Sequence, residues 1–242
     1  MRDVSAAYGG NTETVRGISF TVGEGEAVAV LGANGAGKTS LFLAMVGVLL
    51  IARGSITVDG VELRPESDTP GGKRQAASIR EELRRRVGLV FQNPDDQLFM
   101  PRIDDDLAFG PRNLGLDTAE ISRRTEAALT ALGIPHLRSR SPWRLSGGEK
   151  RLAAIAAVLT MEPAVMLLDE PTAFLDPRSR RTLQSALKGL PHTKLIATHD
   201  LPFAAELCSG AVLLKDGALR AQGPIEQLLN DTALMEECGL DG

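Results

Sequence analysis

The sequence has no long apolar run. Its longest candidate, Leu41 to Ala52, ends at Arg53, short of the roughly 20 consecutive apolar residues that cross a bilayer. Near the N-terminus, Arg2 and Asp3 and then Gly9-Gly10-Asn11 leave no apolar core of the kind a secretory signal needs. Cysteine is scarce: Cys208 and Cys238 are too few and too separated for a disulfide framework or a zinc site. Two free thiols fit a reducing compartment, and a cytoplasmic chain is expected. Excess positive charge is also missing, since 27 Lys plus Arg stand against 31 Asp plus Glu for a net charge of −4. That balance argues against broad electrostatic attachment to nucleic acid. The run Arg84-Arg85-Arg86 and the pair Arg138 and Arg140 read as solvated faces. Internal repeats and low-complexity tracts are absent as well.

What is present is an ordinary globular composition, 242 residues with 43% hydrophobic and 24% charged. This is enough for one domain with a real core and too little for two full-sized ones. Ile18 to Val22 and Ser55 to Val58 alternate apolar and polar residues, as half-buried strands do. They predict a small antiparallel β region near the N-terminus. Ala27 to Leu31, Val165 to Leu168, and Leu195 to Ala197 with Thr198 lack alternation. Such short apolar runs suit strands buried on both faces in a parallel sheet. Between them lie helical patterns: Asp117 with Glu120 in capping-box style, closed by Gly133; the stripe Leu152, Ile155, Ala156 and Leu159, ended by Pro163; and Asp176-Pro177, stopped by Gly189. Arg64 to Ser78, polar and rich in Pro and Gly, reads as a surface loop. The expected architecture is a parallel-sheet α/β core with a mainly helical portion around residues 100 to 160.

Directly after Ala27 to Leu31 comes Gly32-Ala33-Asn34-Gly35-Ala36-Gly37-Lys38-Thr39, a full match to G-x-x-x-x-G-K-[ST]. Glycines let successive N–H groups curl inward around an anion, and the following helix turns its positive end to the phosphates. Lys38 is expected on the β- and γ-phosphates. The Thr39 hydroxyl is expected on Mg²⁺, with Ser40 as a weaker substitute. The plain alternative is a Gly-rich turn capping a helix. A second apolar run, Val165 to Leu168, ends in Asp169-Glu170. Ligand sites in open α/β sheets lie at the carboxyl ends of strands. Asp169 is therefore read as a Mg²⁺ ligand and Glu170 as the general base for an attacking water. Alone, such a pair would more simply decorate a helix start.

Ahead of the acid pair stands Leu145-Ser146-Gly147-Gly148-Glu149. Taken together, phosphate loop, glutamine loop, LSGG signature, acid pair, D-loop and histidine switch occur in an order that resembles the ATP-binding subunit of an ABC transporter. The resemblance spans essentially the whole chain. It implies a P-loop NTPase fold with a RecA-like parallel core, an N-terminal antiparallel β subdomain and an α-helical signature subdomain, all in one ATP-binding domain over 1–242. It also implies ATP and Mg²⁺, and two cassettes that sandwich two ATP molecules. Ser146, Gly147 and Gly148 of one cassette would then meet the γ-phosphate held by the other. By the same resemblance Tyr8 stacks on adenine with Val15 nearby, and Gln92 contacts Mg²⁺ and the water. Asp176 communicates across the dimer, and His199 contacts the γ-phosphate.

The stretch Phe91-Gln92-Asn93-Pro94-Asp95-Asp96-Gln97-Leu98-Phe99, followed by Asp106 to Leu116, resembles ATPases of energy-coupling-factor importers, especially the cobalt and nickel branch. That implies peripheral attachment to the cytoplasmic face of a membrane through transmembrane partners, with coupling near Gln92 to Arg112. Cobalt or nickel is the expected cargo and a vitamin the alternative; no nucleic-acid partner is expected. The chain has departures. Leu152 stands where arginine is usual, Phe174 where a small residue is common in the D-loop, and Glu149 where glutamine is common. A soluble ABC ATPase of DNA repair or translation would need a coiled-coil insertion or a second fused half. A small-molecule kinase would leave Ser146 to Gly148 and His199 without a role.

Overall fold

Apolar side chains at successive positions leave neither face of a strand for water, and here such runs form three adjacent strands of one sheet. The computed structural model describes residues 1–8, 13–67 and 69–240. In chain order the elements begin with β1 (Arg2–Ala7), β2 (Glu13–Ile18), β3 (Ala27–Leu31), α1 (Lys38–Met45), β4 (Ile51–Val58), β5 (Val61–Leu63), α2 (Pro70–Arg86) and β6 (Val87–Val90). There follow α3 (Ile103–Asn113), α4 (Thr118–Ala131), α5 (Gly147–Leu159), β7 (Val165–Asp169), α6 (Pro177–Lys188) and β8 (Thr193–Thr198). The chain then forms α7 (Leu201–Leu207), β9 (Gly210–Lys215), β10 (Ala218–Pro224), α8 (Ile225–Leu229) and α9 (Thr232–Glu237). These elements belong to two units. The first comprises Met1–Leu89, Ala164–Asp169 and His192–Gly242, and the second Val90–Pro163 and Glu170–Pro191.

The sheet of the first unit runs β5-β4-β1-β2-β10-β9-β3-β8-β7-β6. β3 is parallel to β8 and β9, with Leu31 opposite Thr198 and Leu213, and β7 is parallel to β8, with Asp169 opposite Ala197. These strands come from distant parts of the chain, which is how a parallel sheet gathers remote residues at one edge. β1, β2, β4 and β5 pair antiparallel, as the alternating patterns predict, with Val4 opposite Ile18 and Ile56 opposite Leu63. Val4, Ile18, Leu41, Phe42, Ile56 and Leu83 share one core with the inner faces of β3, β8 and β9.

Two local expectations are corrected. The strand read over Ile18 to Val22 ends at Ile18. The alternating burial continues to Phe20, but the Ser19 hydroxyl takes the Asp3 N–H at 2.8 Å, so a side chain replaces the strand ladder. The surface loop read over Arg64 to Ser78 gives way at Pro70 to the 17-residue α2. Thr69 caps it by accepting from Gly72 N–H at 3.1 Å, Pro70 sits at the first helical position, and Ala76 and Leu83 are buried. Proline and glycine at a helix start are compatible with helix, where the N–H lost by Pro70 has no helical partner anyway. In the arginine run Arg84 and Arg85 are exposed as read, and Arg84 also donates to the carbonyls of Val46 and Gly47, each at 3.1 Å, which closes the end of α1.

In the second unit α3, α4 and α5 pack on one another, and α5 also on α6. Arg151 to Ala156 of α5 are all buried, so this helix is enclosed nearly all round. Asp117 caps α4 through the Glu120 N–H at 2.9 Å, yet the reciprocal half of the expected box is missing. The Glu120 carboxylate instead takes Arg123 and Arg124, whose hydrogen bonds hold it down to about 2. The Asp106-to-Leu116 stretch has a packing logic of its own. Buried Asp106 accepts the Phe99 and Met100 N–H groups at 3.0 Å each, and a Cβ on Gly110 would collide with the Met161 sulfur.

Candidate functional site

Beyond Leu31 the chain curls through Gly32 to Gly37 before α1 begins at Lys38. Gly37 has φ +99°, and a Cβ there would stand 2.8 Å from the Thr14 carbonyl oxygen; only glycine fits. No side chain caps the start of α1, so its first N–H groups are available to an anion. Ala36 N–H donates to Ala33 O at 3.1 Å, while Asn34 and Gly35 form the exposed tip. The buried Lys38 ammonium donates to the carbonyls of Gly32 at 2.7 Å and Ala33 at 3.3 Å, which holds the loop closed upon its own lysine. Thr39 donates its hydroxyl to Asp169 Oδ2 at 2.7 Å, because α1 packs against β7. Ser40, one residue on, is half-buried.

Since Leu31 lies opposite Thr198, Gly32 and His199 leave the sheet side by side at its carboxyl edge, where α/β sheets bind ligands. His199 is exposed, in a turn set by Asp200 N–H donating to the Thr198 hydroxyl at 3.0 Å and by Asp200 capping α7 at Phe203 N–H, 3.1 Å. Tyr8 is 51% exposed where β1 ends. Val15, the residue read as near the adenine ring, has no exposed surface and belongs to the hydrophobic core, because it lies on the inward face of a paired strand.

The second unit holds the remaining residues. Ser146 caps α5, its hydroxyl accepting the Glu149 N–H at 3.3 Å while the Glu149 carboxylate takes both the N–H and the hydroxyl of Ser146 at 2.8 Å. This is a complete capping box, and those bonds hold Glu149 below the usual carboxylate range. Gly147 is open to solvent; a Cβ on Gly148 would strike the Ser179 hydroxyl at 2.6 Å. Ser179 in turn donates to Asp176 Oδ2 at 2.5 Å, and Asp176 caps α6 through Arg178 and Ser179 N–H. Signature and D-loop are thus in direct packing contact. Gln92 is exposed just past β6. Glu170 is 6% exposed with φ +42°, and Phe174 is 95% exposed with φ +62°. A left-handed conformation at residues with a Cβ is strained, and such strain gathers at functional sites.

The model of the ABC transporter family matches residues 15–173. The chain is an ABC ATP-binding cassette. A Geobacter sulfurreducens relative, provisionally named an ABC transporter ATP-binding protein, is 46% identical over 241 residues, 100% of this chain and 92% of its own length. The energy-coupling factor transporter ATP-binding protein EcfA of Methanoculleus marisnigri is 40% identical over 244 residues, 99% of this chain and 84% of its own. Among solved structures, cbiO1 of Clostridium perfringens, described as part of the ABC transporter complex cbiONQ, aligns with a TM-score of 0.82 at 34% identity, covering 99% of this chain and 93% of that one. The P-loop NTPase fold and the ATP-hydrolysing activity of the class follow from this membership.

A divalent cation fits the donor set of the cassette. The Thr39 hydroxyl and the Asp169 carboxylate, 2.7 Å apart, are hard oxygen ligands. Among the described residues no group of three or more His, Cys, Asp or Glu could cage a metal. A cation here would complete its shell with nucleotide phosphates and water, the habit of Mg²⁺.

Sequence reasoning missed Arg151. This arginine of the cassette is 1% exposed and donates to the carbonyls of Phe91 at 2.7 Å and Gln92 at 2.6 Å. The available signal was a cation inside an otherwise apolar helical stripe. Leu152, noted for not being arginine, is buried, and the charge sits one residue earlier. Also missed was the reciprocal bond of Glu149, which the S-x-x-E spacing announces.

Proposed function

We propose that this cassette is the ATP-hydrolysing motor of an energy-coupling-factor type importer, bound to the cytoplasmic face of a membrane through transmembrane partners, and that its cargo is cobalt or nickel ion. The hydrolytic part of the reading is carried by the pairing of Thr39 with Asp169 under a glycine-lined loop and an uncapped helix start; the importer type and its cargo are supported by the likeness to EcfA and cbiO1. In this reading the whole chain is one ATP-binding domain. Asn34 to Lys38 cradle the phosphates with N–H groups and one ammonium, Tyr8 stacks on the base, and Thr39, Asp169 and Gln92 hold Mg²⁺, with Ser40 beside them. The cation, when bound, offsets the negative charge that builds on the leaving β-phosphate oxygens.

Glu170 orients a water and takes its proton as the water oxygen bonds to the γ-phosphorus and the bond to the β–γ bridging oxygen breaks. His199 donates to a γ-phosphate oxygen and fixes that phosphate against the attacking water. Ser146, Gly147 and Gly148 complete the site of a second cassette, with Asp176 at the junction, so ATP becomes part of a dimer interface and dimerisation depends on it. The exposed Phe99 and Phe109, edge to face at 5.1 Å, offer an apolar seat in the stretch that follows Gln92 for a helix of the transmembrane partner. Closure on ATP and reopening after hydrolysis drive that partner. No helix among the described residues is long and apolar enough to cross a membrane.

The experiment has two arms. Glu170→Gln should keep ATP binding, trap an ATP-bound dimer on a sizing column and lower turnover by about 100-fold or more; near-normal turnover would defeat the base assignment. In the native host, deletion of the gene should abolish uptake of radioactive cobalt or nickel, restored by the wild-type chain and not by Glu170→Gln. Intact metal uptake with lost vitamin uptake moves the cargo to vitamins.

A further inference from the structure

The two carbonyls that Arg151 holds are not arbitrary. The Phe91 carbonyl belongs to the peptide before the Gln92 Cα and the Gln92 carbonyl to the peptide after it. Fixing both peptide planes fixes φ and ψ of Gln92, and with them the direction in which its side chain leaves the backbone. A planar guanidinium can reach two neighbouring oxygens in this way, whereas an ammonium presents a compact point charge. Burial at 1% exposure keeps water from competing for either bond.

Further ties come from the same helix. The Gln97 side chain donates to the Ala154 carbonyl at 2.8 Å and accepts the Phe91 N–H at 3.3 Å, and Lys150 pairs with Asp95 at 2.5 Å. Lys150, Arg151 and Ala154 lie within little more than one turn of α5, so the segment from Phe91 to Gln97 is fastened to one patch of that helix. The same α5 begins at the signature, Ser146-Gly147-Gly148. A helix passes on a displacement as a rigid rod over so short a distance.

We propose that Arg151 is a positioning residue for the ATPase reaction, a buried fork that sets the backbone of Gln92 and locks the glutamine segment to the signature helix so that the two move together. The inference rests on the role given above to Gln92. It adds the physical link by which a push on the glutamine segment from a membrane partner shifts the signature.

The test uses the full chain and four variants: Arg151→Lys, Gln92→Ala, their combination, and Gln97→Met. Arg151→Lys keeps the charge and loses the fork. It should lower the melting temperature by several degrees, because a buried carbonyl loses its partner, leave the affinity for a fluorescent ATP analogue within about 2-fold, and lower kcat by about 10-fold with little change in KM, the pattern of misplaced groups rather than lost binding. Amide hydrogen exchange should quicken across residues 91 to 97 and not in the phosphate loop. Combining Arg151→Lys with Gln92→Ala should give less than the product of the single losses, since both act through one side chain. Gln97→Met, which leaves the guanidinium untouched, should lower kcat by about 3-fold and keeps the test alive if Arg151→Lys folds poorly. Near-normal kcat in Arg151→Lys, multiplicative losses in the double variant, or unchanged exchange at 91 to 97 overturns the proposal. If Gln92→Ala alone keeps normal kcat, the role of Gln92 falls and takes this inference with it. That result is told apart from failure of the fork alone, where Gln92→Ala is impaired and Arg151→Lys is not.

Discussion

Two helix starts, α1 in the first unit and α5 in the second, carry the residues assigned to phosphate, and they are built in opposite ways. α1 follows a glycine with φ +99° and has no side-chain cap. α5 is closed by the reciprocal bonds of Ser146 and Glu149. Both present first-turn N–H groups at the positive end of a helix dipole, but in α5 the Glu149 N–H is already taken by the Ser146 hydroxyl. The comparison teaches that α1 leaves its first N–H groups without a side-chain cap, while α5 ties its start down from within; in the proposed reading an incoming phosphate would compete with the Glu149 carboxylate for Ser146. That division suits a cassette that binds nucleotide first and meets its partner second.

The largest effect expected is at α1. Lys38→Ala should weaken nucleotide binding by about 100-fold, the value of a charge-assisted contact with little water around it, read by titration with a fluorescent ATP analogue. Unchanged affinity would remove the contrast between the two starts. Next in size, Ser146→Ala should leave that affinity intact, reduce ATP-dependent dimer by about 10-fold on a sizing column, and lower stability by about 1 kcal/mol through loss of the cap. An equal loss of monomer binding would mean that α5 serves its own nucleotide.

Glu149→Gln sharpens the contrast. Removing the charge that faces an incoming phosphate should strengthen ATP-dependent dimerisation by about 3-fold. Its acid dependence has a definite sign. The folded pKa of Glu149 is depressed, first by the Ser146 backbone N–H and then by its hydroxyl. The stabilisation is therefore complete above the unfolded pKa and is lost as pH falls through the folded one. The wild-type advantage in melting temperature over Glu149→Gln should vanish in that acid range. The smallest effect is set for Phe174, exposed and left-handed at φ +62°. Phe174→Gly should alter monomer stability by no more than about 1 kcal/mol in urea unfolding, because relief of strain is opposed by the greater freedom of glycine when unfolded.

Much of this was legible in the chain itself. Non-alternating runs at Ala27 to Leu31, Val165 to Leu168 and Leu195 to Ala197 are strands in the parallel part of the sheet, since burial on two faces admits few residue types. Asp176-Pro177 starts α6 as read, because N-caps are local chemistry. The errors have local causes too. Thr69-Pro70 is as good a helix start as a turn, and the Ile18 to Val22 alternation measures burial, which persists where ladder pairing has stopped.

By itself the sequence determined the nucleotide class, the order of the motifs and the elements that carry them, because glycine geometry, phosphate charge and strand burial each demand particular residues at short spacing. Tertiary structure alone decided which distant residues meet. Thr39 reaches Asp169 because α1 packs on β7, Gly32 and His199 emerge together because β3 and β8 are parallel neighbours, and Arg151 reaches Gln92 across 59 positions. It also closed Val15 inside the core. Such contacts depend on how faces pack in space, and no spacing along a chain encodes the direction in which a buried side chain points.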